Sequence, residues 1–192
     1  FPTQALPYFI CGLVSFQNND FQRAINNLEE GSKYISDNES LLIQTYYYLA
    51  EGYHKIQNHK KSDEYFEKIL AKDPNNLLIL NNYGYYLSLR NERLDYALIL
   101  AEKANKLAPG NAVYEDTFGW IYFKKGNLEQ AEIWIKKALE HQGESDGDIL
   151  EHYGDIQNQK GEKMKALEYW NKAKNKGNSN PILLKKIEEI QH

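Results

Sequence analysis

Phe118-Gly119-Trp120-Ile121-Tyr122-Phe123-Lys124-Lys125-Gly126-Asn127-Leu128-Glu129-Gln130-Ala131 is the stretch on which the fold turns. An apolar run with a glycine embedded in it gives way to a polar turn holding a second glycine. Ala131, Ile135 and Ala138 then follow at helical spacing. The pattern predicts a helix, a tight turn and a second helix. Antiparallel helices cross closely only where one presents a side chain small enough to admit a bulky residue of the other. Gly119 and Ala131 are the small positions of this pair.

The same arrangement recurs on both sides. Gly12, Ala50, Gly84, Gly119 and Gly154 stand 38, 34, 35 and 35 residues apart, and Ala24, Ser62, Ala97, Ala131 and Ala166 lie 12 or 13 residues beyond them. Leu28, Phe66, Ala101, Ile135 and Trp170 come four positions later, and Gly31, Ile69, Ala104, Ala138 and Ala173 three after those. Polar turns such as 17–20 and 159–162 separate the two helices of each unit. Pro74 and Pro109 close second helices because proline cannot continue the hydrogen-bond ladder, and Gly143 and Gly177 are expected to close later ones as C-caps. Residues 181–191 read as an amphipathic helix that covers the last repeat. With only five prolines and twelve glycines in 192 residues, the class is all-α.

This periodic set resembles the tetratricopeptide repeat (TPR) family, whose pattern is a large residue, Leu-Gly or Leu-Ala, an aromatic, a turn glycine, Ala, a bulky residue, Ala and Pro. The fourth unit matches through Phe118-Gly119, Tyr122, Gly126, Ala131, Ile135 and Ala138. The resemblance spans about residues 5 to 178 and implies a right-handed α-solenoid of five helix-turn-helix units, at about 5–38, 43–76, 77–111, 112–146 and 147–180, plus the capping helix. The whole of 1–192 is expected to form one array. Ser62, Gly31, the longer turn at 90–93 and the longer junction at 36–42 depart from the pattern and predict looser places. No polar cap precedes the first unit, where Leu6, Tyr8, Phe9, Ile10 and Leu13 crowd together. The expectation is that the chain is the C-terminal part of a longer protein, or that this end associates with a partner or a second copy.

In such an array the first helices line a concave face, so fixed positions align in rows. One row is Phe9, Tyr47, Asn81, Asp116, Glu151; the next is Leu13, Glu51, Tyr85, Trp120, Asp155; the third is Phe16, His54, Ser88, Phe123, Asn158. Together with Asn82 they give a groove expected to hold a partner peptide or protein segment, graded from aromatic to acidic and favouring a basic segment at its C-terminal end. Asn81, Asn82, Asp116 and Thr117 also suit hydrogen bonds to one another between units. The resemblance does not extend to the subclass that clamps chaperone tails, because Phe9, Leu13, Tyr48, Leu78 and Asn82 stand where its basic and amide groups are required. Asp116-Thr117-Phe118-Gly119-Trp120 and Glu151-His152-Tyr153-Gly154-Asp155 are similar in style to bacterial TPR proteins, which implies a periplasmic or envelope setting.

Other function classes find little here. The net charge of -4, from 27 acidic and 23 basic residues, leaves no basic stripe for nucleic acid. No apolar run reaches the ~20 residues needed to span a bilayer. Cys11, the single cysteine, falls at the large apolar position before Gly12 and is expected in the core. No nucleophile, base and orienting group converge, so the expectation is a non-catalytic chain without cofactor or metal. His152 and Asp155, beside Glu151, are the one pair spaced for a divalent ion. A scaffold acting through its N-terminal face, and an accessory domain of an enzyme, are the alternative readings.

Overall fold

The computed structural model describes residues 2–141 and 143–191, and these are helical throughout except at turns; the ends of the expected 1–192 array and Gln142 lie outside the described residues. Two compact units divide the chain, one ending at Ile79 and the other beginning at Leu80.

The first unit contains α1 (Pro2–Gln17), α2 (Phe21–Ser32), α3 (Glu39–Lys55), α4 (His59–Lys72) and the first turn of α5 (Leu77–Leu89). Asp20, Asn38 and Asn58 start α2, α3 and α4 by accepting the backbone N–H of Arg23, Leu41 and Lys61. Close crossing is enforced at Gly12, where the period placed it, and at Gly52, two residues beyond the Ala50 that the period marked. A Cβ on Gly12 would lie 2.6 Å from Leu28 Cγ, and one on Gly52 would lie 3.1 Å from Ile25 Cγ1. The α2 and α3 helices are further tied by Glu29, which accepts the Tyr53 hydroxyl at 2.6 Å and the Tyr65 hydroxyl of α4 at 3.3 Å.

The second unit carries the rest of α5, then α6 (Leu94–Leu107), α7 (Ala112–Lys124), α8 (Leu128–Glu140), α9 (Gly147–Gln159), α10 (Lys163–Asn175) and α11 (Pro181–Gln191). Asn111, Asn127 and Asp146 cap α7, α8 and α9 with their side-chain oxygens. The turn between α7 and α8 needs a left-handed residue, and Gly126 supplies it at φ 77. The longer turn before α6 instead puts Asn91 and Arg93 at positive φ, and Arg93 turns its guanidinium onto the Tyr83 hydroxyl at 2.7 Å. Gly119 faces Ile135, and Gly154 faces Trp170, whose indole N–H donates to Asp155 at 3.0 Å. Glu132 of α8 repeats the role of Glu29: it accepts Tyr153 and Gln157 of α9, and it pairs with Lys136 and Lys160. Burial alone would raise the pKa of Glu132, but the bonds from Lys136, Lys160 and Gln157 outweigh burial and bring it down to about 2. Leu183 and Ile187 of α11 close the core over Trp170 and Ala173, the capping role expected of 181–191.

Two expectations are corrected. Cys11 is exposed. Its counterparts Leu49, Phe118 and Tyr153 are buried, each on a helix that follows an earlier one, whereas α1 is the first helix of its unit and Leu6, Ile10 and Val14 along it are each 51% exposed. Gly143 does not cap α8, which ends at Glu140 with His141 as C-cap; Gly143 instead opens a short 3-10 turn to Ser145. Gly177, at φ 93, does take the left-handed conformation expected of a C-cap.

The crossing of α9 and α10 gives a direct test. A Cβ on Gly154 would sit 2.4 Å from Trp170 Cδ1, so Gly154→Ala is expected to lower unfolding free energy by about 1–3 kcal/mol. Urea denaturation measures this, and a stability equal to the parent would mean that the two helices are not in contact there.

Candidate partner-binding site

The expected groove residues fall in both units: Phe9, Leu13, Phe16, Tyr47, Glu51 and His54 in the first, and the others in the second. In the first, Phe16 of α1 packs on Phe21 at 5.2 Å and on Tyr48 at 5.5 Å, and Tyr48 in turn meets Phe9 and Tyr47. These rings satisfy one another: Phe9 is buried, while Phe16, Tyr47 and Tyr48 are half-buried. Burial, with the nearby Glu51 charge, pushes the Tyr47 phenol up to about 12. Glu51 is itself buried, and the His54 ring lies 5.7 Å from that of His59.

In the second unit, Asn81, Asp116 and Glu151 take equivalent places on α5, α7 and α9, and the same 35-residue step reaches Lys186 on α11. Their side chains do not form one continuous acidic face. Lys186 pairs with Glu151 at 2.8 Å and with Asp155 at 2.6 Å, and Asn178 donates to Glu151 and Asp148 at 2.9 Å. Burial raises the Asp155 carboxyl pKa despite the Lys186 charge. The expected acidic end is therefore filled by the chain's own lysine.

Asp116 is held differently. Both its oxygens reach His152 Nδ1, at 2.9 and 3.0 Å, and the imidazole stacks on Trp120 with centroids 3.9 Å apart and planes 17° from parallel. Phe123 covers the Trp120 indole, also stacked, at 4.8 Å. Trp120 is only 7% exposed, and its indole N–H has no hydrogen-bond partner, so the indole serves as a platform within α7 and α9 more than as an open face. Burial by itself would disfavour the imidazolium, but the Asp116 charge and hydrogen bond outweigh it, and the His152 pKa lies above its ordinary 6.5. Tyr85 is half-buried beside this stack, 6.4 Å from the His152 ring; burial, then the charges of Asp116, Asp148 and Glu151, push its phenol up to about 12.

Asn81, Asn82, Tyr85, Asp116, Asp148 and His152 line one cavity of about 220 Å³. Asn81 donates to Asn82 Oδ1 at 3.3 Å, while Asp116 turns to the next helix pair, so the expected bonds between the asparagines and Asp116 are replaced by Asp116 with His152. Phe123 is half-buried and Asn158 exposed. The sequence reading did not place His152, Asn178 or Lys186 in the site. The step from Asn82 through Thr117 to His152 is also 35 residues, and that row was the available signal. His152 and Asp155 do not converge on a metal, and no group of three or more His, Cys, Asp or Glu suited to one occurs among the described residues. No described helix is long and apolar enough to cross a membrane.

The Asp116–His152 pair sets a pH dependence. Because the folded-state pKa of His152 is raised, the stability it contributes is complete below 6.5 and is lost as pH rises through the folded value. The denaturation midpoint is expected to be higher near about pH 6 than near about pH 8, and His152→Gln to lose part of that difference. Parallel pH profiles for parent and variant would refute the pairing.

The profile of the family described as Tetratricopeptide repeat matches residues 117–142, the unit whose sequence decided the fold. A TPR repeat-containing protein of Pseudomonas aeruginosa is 30% identical over 155 residues, covering 80% of this chain and 25% of the relative. A TPR repeat-containing protein of Methanocaldococcus jannaschii is 29% identical, covering 81% of this chain and 26% of that protein. The chain thus spans about a quarter of the length of the curated relatives it matches. Among solved structures, PilF of Pseudomonas aeruginosa aligns with a TM-score of 0.76 at 20% identity, covering 98% of this chain and 83% of its own. MamA of Desulfovibrio magneticus RS-1 gives 0.76 at 19%, covering 93% and 97%. At those identities the likeness is one of fold. The recurring helix pairs, the glycine crossings and these matches agree: the chain belongs to the tetratricopeptide repeat family.

Proposed function

We propose that the second unit holds an extended segment of a partner protein along the face formed by α5, α7 and α9, with Tyr85, Asn82 and Phe123 as its contacts. A protein-interaction scaffold is the general role of this fold. The observation that carries the finer reading is the cavity of about 220 Å³ at Asn81, Asn82 and Tyr85, where half-buried aromatic and amide groups stand beside a ring stack that is already ordered. Amides pair with a peptide main chain whatever its sequence, and a fixed aromatic gives contact area with few rotors to freeze. The residues of the first unit contribute less to this reading because its aromatics pack on one another. No step in this role requires a cofactor, a metal or catalysis.

A second reading rests on α1, where Leu6, Ile10 and Val14 lie one helical turn apart and are each 51% exposed. Such a stripe suits association with another copy or an adjoining scaffold element. Light scattering with Ile10→Lys tests it: an assembly that the substitution disperses supports the stripe, and a monomer in both forms removes it.

For the groove, peptides selected from a displayed library on the parent protein are titrated against Tyr85→Ala. A loss of about tenfold or more in affinity, with helical circular dichroism unchanged, is expected. Unaltered affinity would sink the assignment of this face.

A further inference from the structure

Charge in the second unit is unevenly answered. Glu151 and Asp155 hold Lys186, and Glu132 holds Lys136 and Lys160. The cavity at α5, α7 and α9 has the opposite balance: Asp116, Asp146 and Asp148 line it, and its described lining includes no lysine or arginine. His152, which also lines it, hydrogen-bonds Asp116 and lends Asp148 only a through-space charge, and Asp146 is turned to the N-terminus of α9, where it accepts the N–H of Asp148 and Ile149. Beyond its own helix, the Asp148 carboxylate accepts a hydrogen bond from a neutral amide, that of Asn178.

A second feature of the cavity is independent of those carboxylates. Asn81 is 6% exposed, and its carboxamide oxygen has no hydrogen-bond partner, although the amide nitrogen donates to Asn82. A buried acceptor left unmatched is costly unless something donates to it. The Tyr85 ring stands beside it, in the combined field of Asp116, Asp148 and Glu151.

We infer that this cavity takes the cationic head of a lysine or arginine side chain from the bound segment, with Asn81 Oδ1 and the Asp148 carboxylate accepting its N–H groups and Tyr85 covering its methylenes. The inference rests on the groove reading and names the chemistry of one subsite within it. Ammonium and guanidinium both satisfy it: each offers several donors and no acceptor, and a charge-assisted bond to a carboxylate is among the stronger side-chain interactions. The chain displays the same solution on α11, where Lys186 bridges two carboxylates 35 positions along the row from Glu151.

The experiment is an NMR titration of the ¹⁵N-labelled chain with three small probes: Nα-acetyl-lysine methylamide, Nα-acetyl-arginine methylamide and the Nε-acetylated, uncharged form of the first. Either cationic probe is expected to shift the Asn81 and Asn82 side-chain amides and the backbone signals of Tyr85, Thr117 and His152, and the uncharged probe to leave them in place. Asp148 is exposed, so Asp148→Asn leaves the core intact, and it should weaken the cationic probe at least roughly fivefold. Equal shifts from the uncharged probe, or shifts scattered over the acidic surface and unchanged in Asp148→Asn, overturn the proposal. The library peptides separate the two readings. Peptides without Lys or Arg that bind Tyr85 as tightly as basic ones leave the groove standing and remove the cation site. Cationic probes that bind where no peptide does keep the site and remove the groove.

Discussion

Everything in this chain depends on how closely one helix of each pair can approach the other. Gly12 lies against Leu28, Gly119 against Ile135 and Gly154 against Trp170, and in each case a single added carbon would fall within about 3 Å of the partner side chain. That distance is below any real van der Waals separation, so the glycine is required by the partner's bulk and not by backbone conformation. Fixing the crossing point fixes which face of each first helix is turned away from its own partner. Asn81, Asp116 and Glu151 stand one repeat apart on successive first helices for this reason.

A second set of interactions joins successive pairs, and it is polar. Glu29 and Glu132 each sit on a second helix and accept a tyrosine hydroxyl from the following first helix. These partly buried carboxylates are satisfied by several donors, which removes the penalty that burial would otherwise impose. In the second unit the Asp116–His152 pair also joins successive pairs, linking α7 to α9. The apolar crossings build each pair, and the acidic staples set one pair against the next.

What the sequence disclosed follows this division. The helix pairs, turns and tight crossings were legible because they depend on size and spacing within about 20 residues of chain, and those recur in every repeat. The outward face of α1 was not: the residue before Gly12 is apolar in character whether or not another helix covers it, and Cys11 is exposed. The candidate site was legible at Asn82, Tyr85 and Phe123, which keep some exposure, and less so at Trp120. An indole at a groove position has the character of a contact residue whether or not a ring from the next repeat lies on it, and the spacing of His152 points to neighbours on its own helix, not to the carboxylate 36 residues earlier.

Charge is where reading by composition goes furthest astray, and the reason is physical. Counting Asp116, Asp148, Glu151 and Asp155 along the sequence gives an acidic gradient that rises toward the C-terminus. Electrostatic demand is set instead by which carboxylates have a cation within bonding distance, since attraction between unit charges falls off with separation and is steeply attenuated by water. Lys186, far along the chain, meets both Glu151 and Asp155, so the carboxylates nearest the end are the ones most fully answered. The demand left over lies at Asp148, in the first turn of the same helix, and at the unmatched oxygen of Asn81 on α5. A capping helix that closes the core with Leu183 and Ile187 thereby also decides which carboxylates of α9 are paired with a cation.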